Sequence, residues 1–160
     1  MSSKINYFKL LVSLFLCQFA GAVGSVFTAS SLKDWYILLA KPVFNPPSWV
    51  FFPVWTLLYT LMGISLYIVW EKGLQNKEVK IGLIIFGIQL FLNSLWSFLF
   101  FGLRTPYYAF IEIIFLWITI LLTIFQFRKI SKTASYLLVP YILWVSFASL
   151  LNYYLWILNT

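Results

Sequence analysis

KPVFNPPSWVFFPVWTLLYTLMG, residues 41–63, places prolines and aromatic rings directly ahead of a long apolar segment. Proline pushes the residue before it out of the α region, so Pro46 and Pro47 predict that no helix runs back through Asn45. Ser48 is the expected N-cap of the helix that follows. The length and apolar character of that helix predict a membrane span, and the stretch before it is an ordered connection.

The composition of the whole chain agrees with this interpretation. Of its 160 residues, 62% are hydrophobic and 9% are charged, whereas a soluble domain carries about 25% charged residues. Continuously apolar runs, rather than alternating ones, exclude a β-barrel. We therefore predict an all-α membrane protein with a single domain over 1–160, a bundle of five transmembrane helices. The expected spans are 8–27, 49–70, 81–101, 106–127 and 134–158.

The first span has a second interpretation, a cleaved signal peptide. Lys4 and Lys9 precede its apolar run, and Ala20, Gly21 and Ala22 resemble a cleavage site. The run continues beyond the length of a typical signal peptide, which favours a retained span.

The distribution of Lys and Arg predicts the orientation. Eight basic residues fall on one side of the five spans, in the N-terminal tail and in the connections at 71–80 and 128–132, and three fall on the other. By the positive-inside rule the N-terminus is cytoplasmic in a bacterial cell membrane, and the 41–47 segment lies outside. The net charge of +7 is thus a topology signal, with membrane lipid as partner and no nucleic acid.

Few residues could carry chemistry. The chain has no His, a single Cys (Cys17) and four acidic residues, so we expect no metal site and no cofactor with protein ligands. No nucleophile–base pair or paired carboxylates can be found for hydrolysis or phosphoryl transfer.

Three helix faces combine Trp with hydrogen-bonding residues. The first is Trp55, Tyr59 and Met62, the second is Gln89, Asn93 and Trp96 with Phe100 one turn on, and the third is Trp144, Ala148 and Asn152. Each alone is explained by helix packing, with amides joining helices. Together they predict a cavity for a large, flat, mostly apolar ligand.

Glu112 lies about two turns into the fourth span, where a carboxylate is costly. We expect a structural hydrogen bond or an ion pair with Arg104, with protonation as the alternative and a minor role in ligand binding. The small residues Gly21, Gly24 and Ser25 predict close packing of the first span. Gly82 and Gly87 predict the same for the third, or a dimer seam.

Several long motifs resemble the translocator protein family, also called the peripheral-type benzodiazepine receptor or tryptophan-rich sensory protein family. They are WYILLAKPVFNPPSWVFFPVWTLLYTLMGISLYIVW at 35–70, LNSLWSFLFFGLR at 92–104, Ala109 with Glu112, and PYILWVSFASLLNYYLW at 140–156. The resemblance implies a five-helix bundle, commonly a homodimer, that binds porphyrins such as protoporphyrin IX. It also implies a pocket lined from spans two, three and five and covered by the first loop.

The resemblance carries specific residues with it. The implied ligand-binding residues are Trp55, Tyr59, Asn93, Trp96, Trp144, Ala148, Leu151 and Asn152, to which the spacing on the third span adds Phe100. The implied lid is Lys41, Pro42, Phe44, Pro46 and Pro47. Phe44 replaces the family's usual Trp and is expected to face the cavity. Tyr153 and Tyr154 are not followed by a basic residue, so sterol binding through the family's cholesterol motif is not expected.

Three functions follow as hypotheses. The first is a porphyrin-binding receptor or sensor that assists tetrapyrrole traffic. The second is a light-dependent porphyrin-degrading enzyme with Trp55 and Trp144 as catalytic candidates. The third is a transporter of porphyrins or other hydrophobic molecules, although the chain shows no inverted repeat of the usual transporter kind.

Overall fold

A computed structural model describes residues 4–160. Within that range the chain forms five long helices and no strand, which confirms the predicted all-α membrane fold. The helices are α1 (Tyr7–Asp34), α2 (Ser48–Trp70), α3 (Lys77–Gly102), α4 (Pro106–Ile130) and α5 (Lys132–Ile157). Each is long and apolar enough to cross a membrane.

The helix ends follow from local side chains, with one exception to the prediction. Asn6 caps α1 by accepting a hydrogen bond from the Lys9 amide at 3.1 Å, and Asn76 caps α3 in the same way. Ser48 does not act as an N-cap. It begins a 3₁₀ turn, Ser48–Val50, that follows Pro47 and forms the first turn of α2, and no side chain caps that turn.

Helix α1 is longer than the apolar run predicted, because it continues through the polar residues up to Asp34. A single 3₁₀ turn, Tyr36–Leu38, follows it. Helix α5 is interrupted at Leu138, where Lys132–Leu137 meets Val139–Ile157. The interruption has a local cause, because Pro140 offers no amide hydrogen and its ring crowds the preceding turn.

The outer end of α3 is a π-helical turn, Phe98–Gly102. The Leu103 amide donates to the Phe98 carbonyl at 2.8 Å, five residues back. Arg104, directly after the turn, has a left-handed backbone with φ of 56°. Non-glycine residues rarely adopt this conformation, so a contact of the side chain is expected to hold it.

Small residues let the helices approach closely, as the sequence predicted. A Cβ on Gly21 would lie 2.5 Å from the Tyr59 ring, and one on Gly82 would lie 3.2 Å from Phe127. Gly63 on α2 lies directly against the Leu14 backbone on α1. Gly87 has no atom within 4 Å of the corresponding position, so it takes no part in packing within the chain.

Within residues 4–160, three ion pairs lie at the two ends of the bundle. Lys9–Glu71 at 3.0 Å and Lys129–Glu78 at 3.8 Å lie at the end that holds the chain's N-terminal side. Arg104–Asp34 at 2.7 Å lies at the opposite end. The pairs join helix ends that the sequence placed on the same side of the membrane.

The Arg104–Asp34 pair corrects the prediction for Glu112. Arg104 turns to Asp34 at the end of α1, and both Glu112 carboxylate oxygens are buried with no hydrogen-bond partner among the described residues. The expected Glu112–Arg104 contact is therefore wrong.

Candidate functional site

A cavity of about 440 Å³ occupies the half of the bundle next to the Arg104–Asp34 pair, which we call the outer half. Lining residues come from α1, α2, α3, α5 and the 3₁₀ turn after α1. Along α2 the lining extends from Ser48 to Tyr59, roughly 16 Å of helix. Below it the bundle is filled by a tight apolar core that includes Met62, Ile113 and Ile120.

Eight of the nine predicted ligand-binding residues line this cavity. They are Trp55, Tyr59, Trp96, Phe100, Trp144, Ala148, Leu151 and Asn152. Four of these residues form two stacked pairs of rings. Trp55 stacks on Tyr59 with 5.6 Å between ring centroids, and Trp96 stacks on Phe100 with 5.3 Å. These four rings therefore give the α2 and α3 walls flat aromatic surface.

Asn93 is the predicted residue that does not line the cavity. It lies one layer behind it, where its carbonyl oxygen accepts from the Tyr59 hydroxyl and its amide donates to Tyr141 at 2.9 Å. The Tyr141 hydroxyl donates in turn to Gln89 at 2.8 Å. This buried chain joins α2, α3 and α5, and it fixes the Tyr59 ring that supports Trp55.

Two polar groups at the wall differ in what they can offer a ligand. Both polar atoms of Asn152 already have a partner within the protein, since its oxygen accepts from Trp96 Nε1 at 3.0 Å and its amide donates to the Pro106 carbonyl at 2.8 Å. Trp144 Nε1 is buried and has no acceptor among the described residues. A buried donor without a partner costs free energy, and a ligand oxygen would supply the missing acceptor.

None of the predicted lid residues lines the cavity; these are Lys41, Pro42, Phe44, Pro46 and Pro47. Phe44 does not face the cavity as expected. Its ring contacts Phe147 and Tyr154 on the outer part of α5, at centroid distances of 6.3 and 5.3 Å. Phenylalanine has no polar edge to satisfy, so this apolar contact places no demand on hydrogen bonding.

Tyr36 closes the top of the cavity instead. Its hydroxyl donates to Asn45 Oδ1 at 2.8 Å, and Lys41 Nζ lies 5.0 Å from its ring centroid. Burial raises the pKa of the Tyr36 hydroxyl to about 12, although the hydrogen bond to Asn45 lowers it in part. The hydroxyl therefore remains a neutral donor at any physiological pH.

One whole wall was absent from the sequence-based prediction. Helix α1 lines the cavity, chiefly through small side chains, and aromatic residues that were not singled out complete it. These are Gln18, Gly21, Ala22, Gly24, Ser25, Thr28, Ala29 and Leu32 on α1, with Tyr36, Phe51 and Phe101 elsewhere. Small residues at helical spacing indicate close packing or an open space equally well, so the sequence signal was present but ambiguous.

Comparison with known proteins decides the family. The TspO/MBR family model matches residues 13–157. The chain belongs to the TspO/MBR family. The matched range contains every residue that lines the cavity.

TspO/MBR relatives match almost end to end. The chain is 48% identical to "Tryptophan-rich protein TspO" of Archaeoglobus fulgidus, over 97% of this chain and 99% of the relative. It is 46% identical to the protein of that name from Chlorobaculum tepidum, over 94% and 95%. It is also 37% identical to "Translocator protein" of Homo sapiens, over 84% and 80%.

Proposed function

We propose that this TspO/MBR protein is a membrane receptor or sensor that binds porphyrins, of which protoporphyrin IX is the test case, and assists tetrapyrrole traffic. The observation that carries the proposal is the cavity of about 440 Å³ walled by stacked aromatic pairs. Its volume lies in the range of small-molecule sites, about 300–1,000 Å³. Its paired flat rings suit a flat macrocycle.

The absence of charge in the described cavity lining also supports an orientation for the ligand. No lining side chain is ionic, and a carboxylate buried without a partner is costly. The two carboxylates that protoporphyrin IX carries along one edge would therefore point outward, toward the end of the bundle where Lys33, Lys41 and Arg104 lie. The apolar edge would enter first, between Trp55 and Trp96.

The test is quenching of tryptophan fluorescence by protoporphyrin IX in detergent. We expect Trp55→Ala and Trp96→Ala each to weaken binding by about tenfold, since a stacked aromatic contact contributes about 0.5–1.5 kcal/mol beyond its buried area. Trp49→Ala is the matched control, because Trp49 is 74% exposed and lies outside the cavity lining. Equal affinity in all three variants would contradict the proposed site.

A second function, light-dependent porphyrin degradation, is favoured by one observation. Trp55 and Trp144 both line the cavity, and an indole beside a photoexcited macrocycle can exchange an electron with it. We expect loss of porphyrin absorbance under light and oxygen to slow in the Trp55→Phe, Trp144→Phe double variant. If the variant and the wild type lose absorbance equally, the protein binds porphyrin without transforming it.

Two further proposals concern assembly and placement. We propose a homodimer whose seam on α3 includes Gly87, which faces open space, together with the exposed residues Ile84, Ile88 and Phe91. We also propose that the protein lies in a bacterial cell membrane with its N-terminus in the cytoplasm. Gly87→Phe is expected to convert the dimer to a monomer in light scattering, whereas Ile118→Phe, at an exposed position of α4, is not.

A further inference from the structure

We propose that ligands reach the cavity sideways from the bilayer, through an opening between the outer halves of α1 and α2. The inference rests on the proposed binding function and concerns the class of ligand and its route. We call the opening the α1–α2 window and define its edges by Ala22, Ser25 and Ala29 on α1 and by Ser48, Phe52 and Thr56 on α2.

The inner halves of α1 and α2 are closed against each other. Gly63 touches the Leu14 backbone, and Gly21 lies under the Tyr59 ring. Gln18 crosses from α1 to α2 at the base of the window, where its amide donates to the Thr60 hydroxyl at 3.0 Å and to the Thr56 carbonyl at 3.2 Å. Below Gln18 there is no passage between the two helices.

Above Gln18 the two helices separate. The six window residues line the cavity and are also exposed. The lining residues on α3 and α5 are all buried or half-buried. The cavity is therefore open to the outside on the α1–α2 side. Because Thr56 lies roughly 12 Å of helix below Ser48, most of this opening faces lipid rather than water.

The edges of the window are suited to lipid. The hydroxyls of Ser25, Thr28 and Thr56 donate to carbonyls of their own helix, at 2.8, 3.1 and 2.9 Å. These three hydroxyl protons therefore need no water. The small side chains on α1 leave the gap, and the exposed Phe52 ring presents an apolar edge to it.

The route from water is held shut by several contacts. Tyr36 donates to Asn45, and Asn159 near the C-terminus forms two hydrogen bonds of 2.9 Å with the backbone of Ala40. Ser31 Oγ donates to the Phe101 carbonyl at 2.5 Å and ties the end of α1 to α3. Entry from the water side would break these bonds, whereas entry through the window breaks none of them.

The route selects a class of ligand. A molecule that enters here has first partitioned into the membrane, so it is flat, largely apolar and amphiphilic, with any charged groups left at the lipid–water boundary. Purely water-soluble analogues of the same size would have no access.

The experiment measures association and dissociation of protoporphyrin IX in lipid nanodiscs by stopped-flow tryptophan quenching. Ala22→Phe and Ala29→Phe narrow the window, and we expect both rate constants to fall together by about tenfold, which corresponds to a barrier raised by about 1.4 kcal/mol. Val23→Phe is the matched control, since Val23 is exposed on α1 but lies outside the cavity lining.

Three outcomes overturn the inference. One is that the window variants keep wild-type rate constants. Another is that Asn159→Ala, which frees the lid, accelerates both rate constants. The third is that the wild-type protein shows no quenching, a result that would refute the proposed porphyrin binding itself and is visible before any variant is made. A parallel fall of both rate constants in the two window variants alone supports the inference.

Discussion

At the scale of single residues, Trp144 carries an unusual buried group. Its indole nitrogen has no acceptor among the described residues, although the ring packs between Phe51 and Phe147. Such an unpaired donor lowers the stability of the empty protein by about 1–3 kcal/mol. The same group is available to a ligand oxygen, so stability and binding are expected to respond in opposite directions when it is removed.

Trp144→Phe tests this directly. We expect thermal stability in detergent to stay equal to wild type or to rise, while porphyrin affinity falls about 3- to 10-fold, the range of one hydrogen bond. Trp117→Phe is the matched control, because the Trp117 indole donates to Ser146 at 2.8 Å outside the cavity. That control should lose stability and keep its affinity, and a reversed pattern would contradict the role given to Trp144.

Tyr36 gives a pH dependence at the same scale. The pKa of Tyr36 in the folded state is raised to about 12, above the usual value near 10. The neutral Tyr36 hydroxyl therefore makes its full contribution to the free energy of unfolding below pH 10, and this contribution is lost as the pH rises toward 12. We expect the tyrosinate absorbance that is lost in Tyr36→Phe to have its midpoint near pH 12. A midpoint near 10 would show that the residue is not buried beneath Asn45.

At the scale of helices, the sequence predicted the existence and the order of the helices better than it predicted the contacts between their side chains. Five continuous apolar runs predicted the five helices, and the i, i+4 spacing predicted that Trp55 and Tyr59 lie on one wall of the cavity. Contacts were harder to predict because a polar residue in an apolar run needs a partner, and the sequence does not identify it. Asn93 thus forms hydrogen bonds with two tyrosines and does not line the cavity, and Arg104 forms an ion pair with Asp34 and not with Glu112.

The packing of α1 on α2 gives a prediction for one glycine. Gly63→Ala would place a methyl group 2.9 Å from the Leu14 backbone, which cannot move aside as a side chain can. We expect a loss of about 1–3 kcal/mol in the free energy of unfolding, the cost of overpacking, measured by denaturant titration in detergent. Gly87→Ala, with no atom within 4 Å, should lose nothing in the monomer, and equal losses would refute this account.

At the scale of the whole molecule, the basic residues predict which end of the bundle faces the cytoplasm. Cys17 is the only cysteine and is fully buried. The natural chain therefore offers no thiol for labelling and is the negative control for introduced cysteines. Val43→Cys is expected to react with a membrane-impermeant maleimide in intact bacterial cells, and Leu74→Cys only after lysis. The opposite labelling pattern would invert the orientation and place the lid in the cytoplasm.

The π turn at Phe98–Gly102 has a consequence for how insertions and deletions act on this protein. A π turn accommodates one residue more than an α-helix of the same length, so deleting one residue there would let α3 continue as a regular helix. In a regular α-helix, consecutive residues are separated by about 100° around the helix axis. Phe100 and Phe101, which now both contact Trp96, could not keep that arrangement. The aromatic end of the cavity thus depends on the length of the chain there as well as on the identity of its residues.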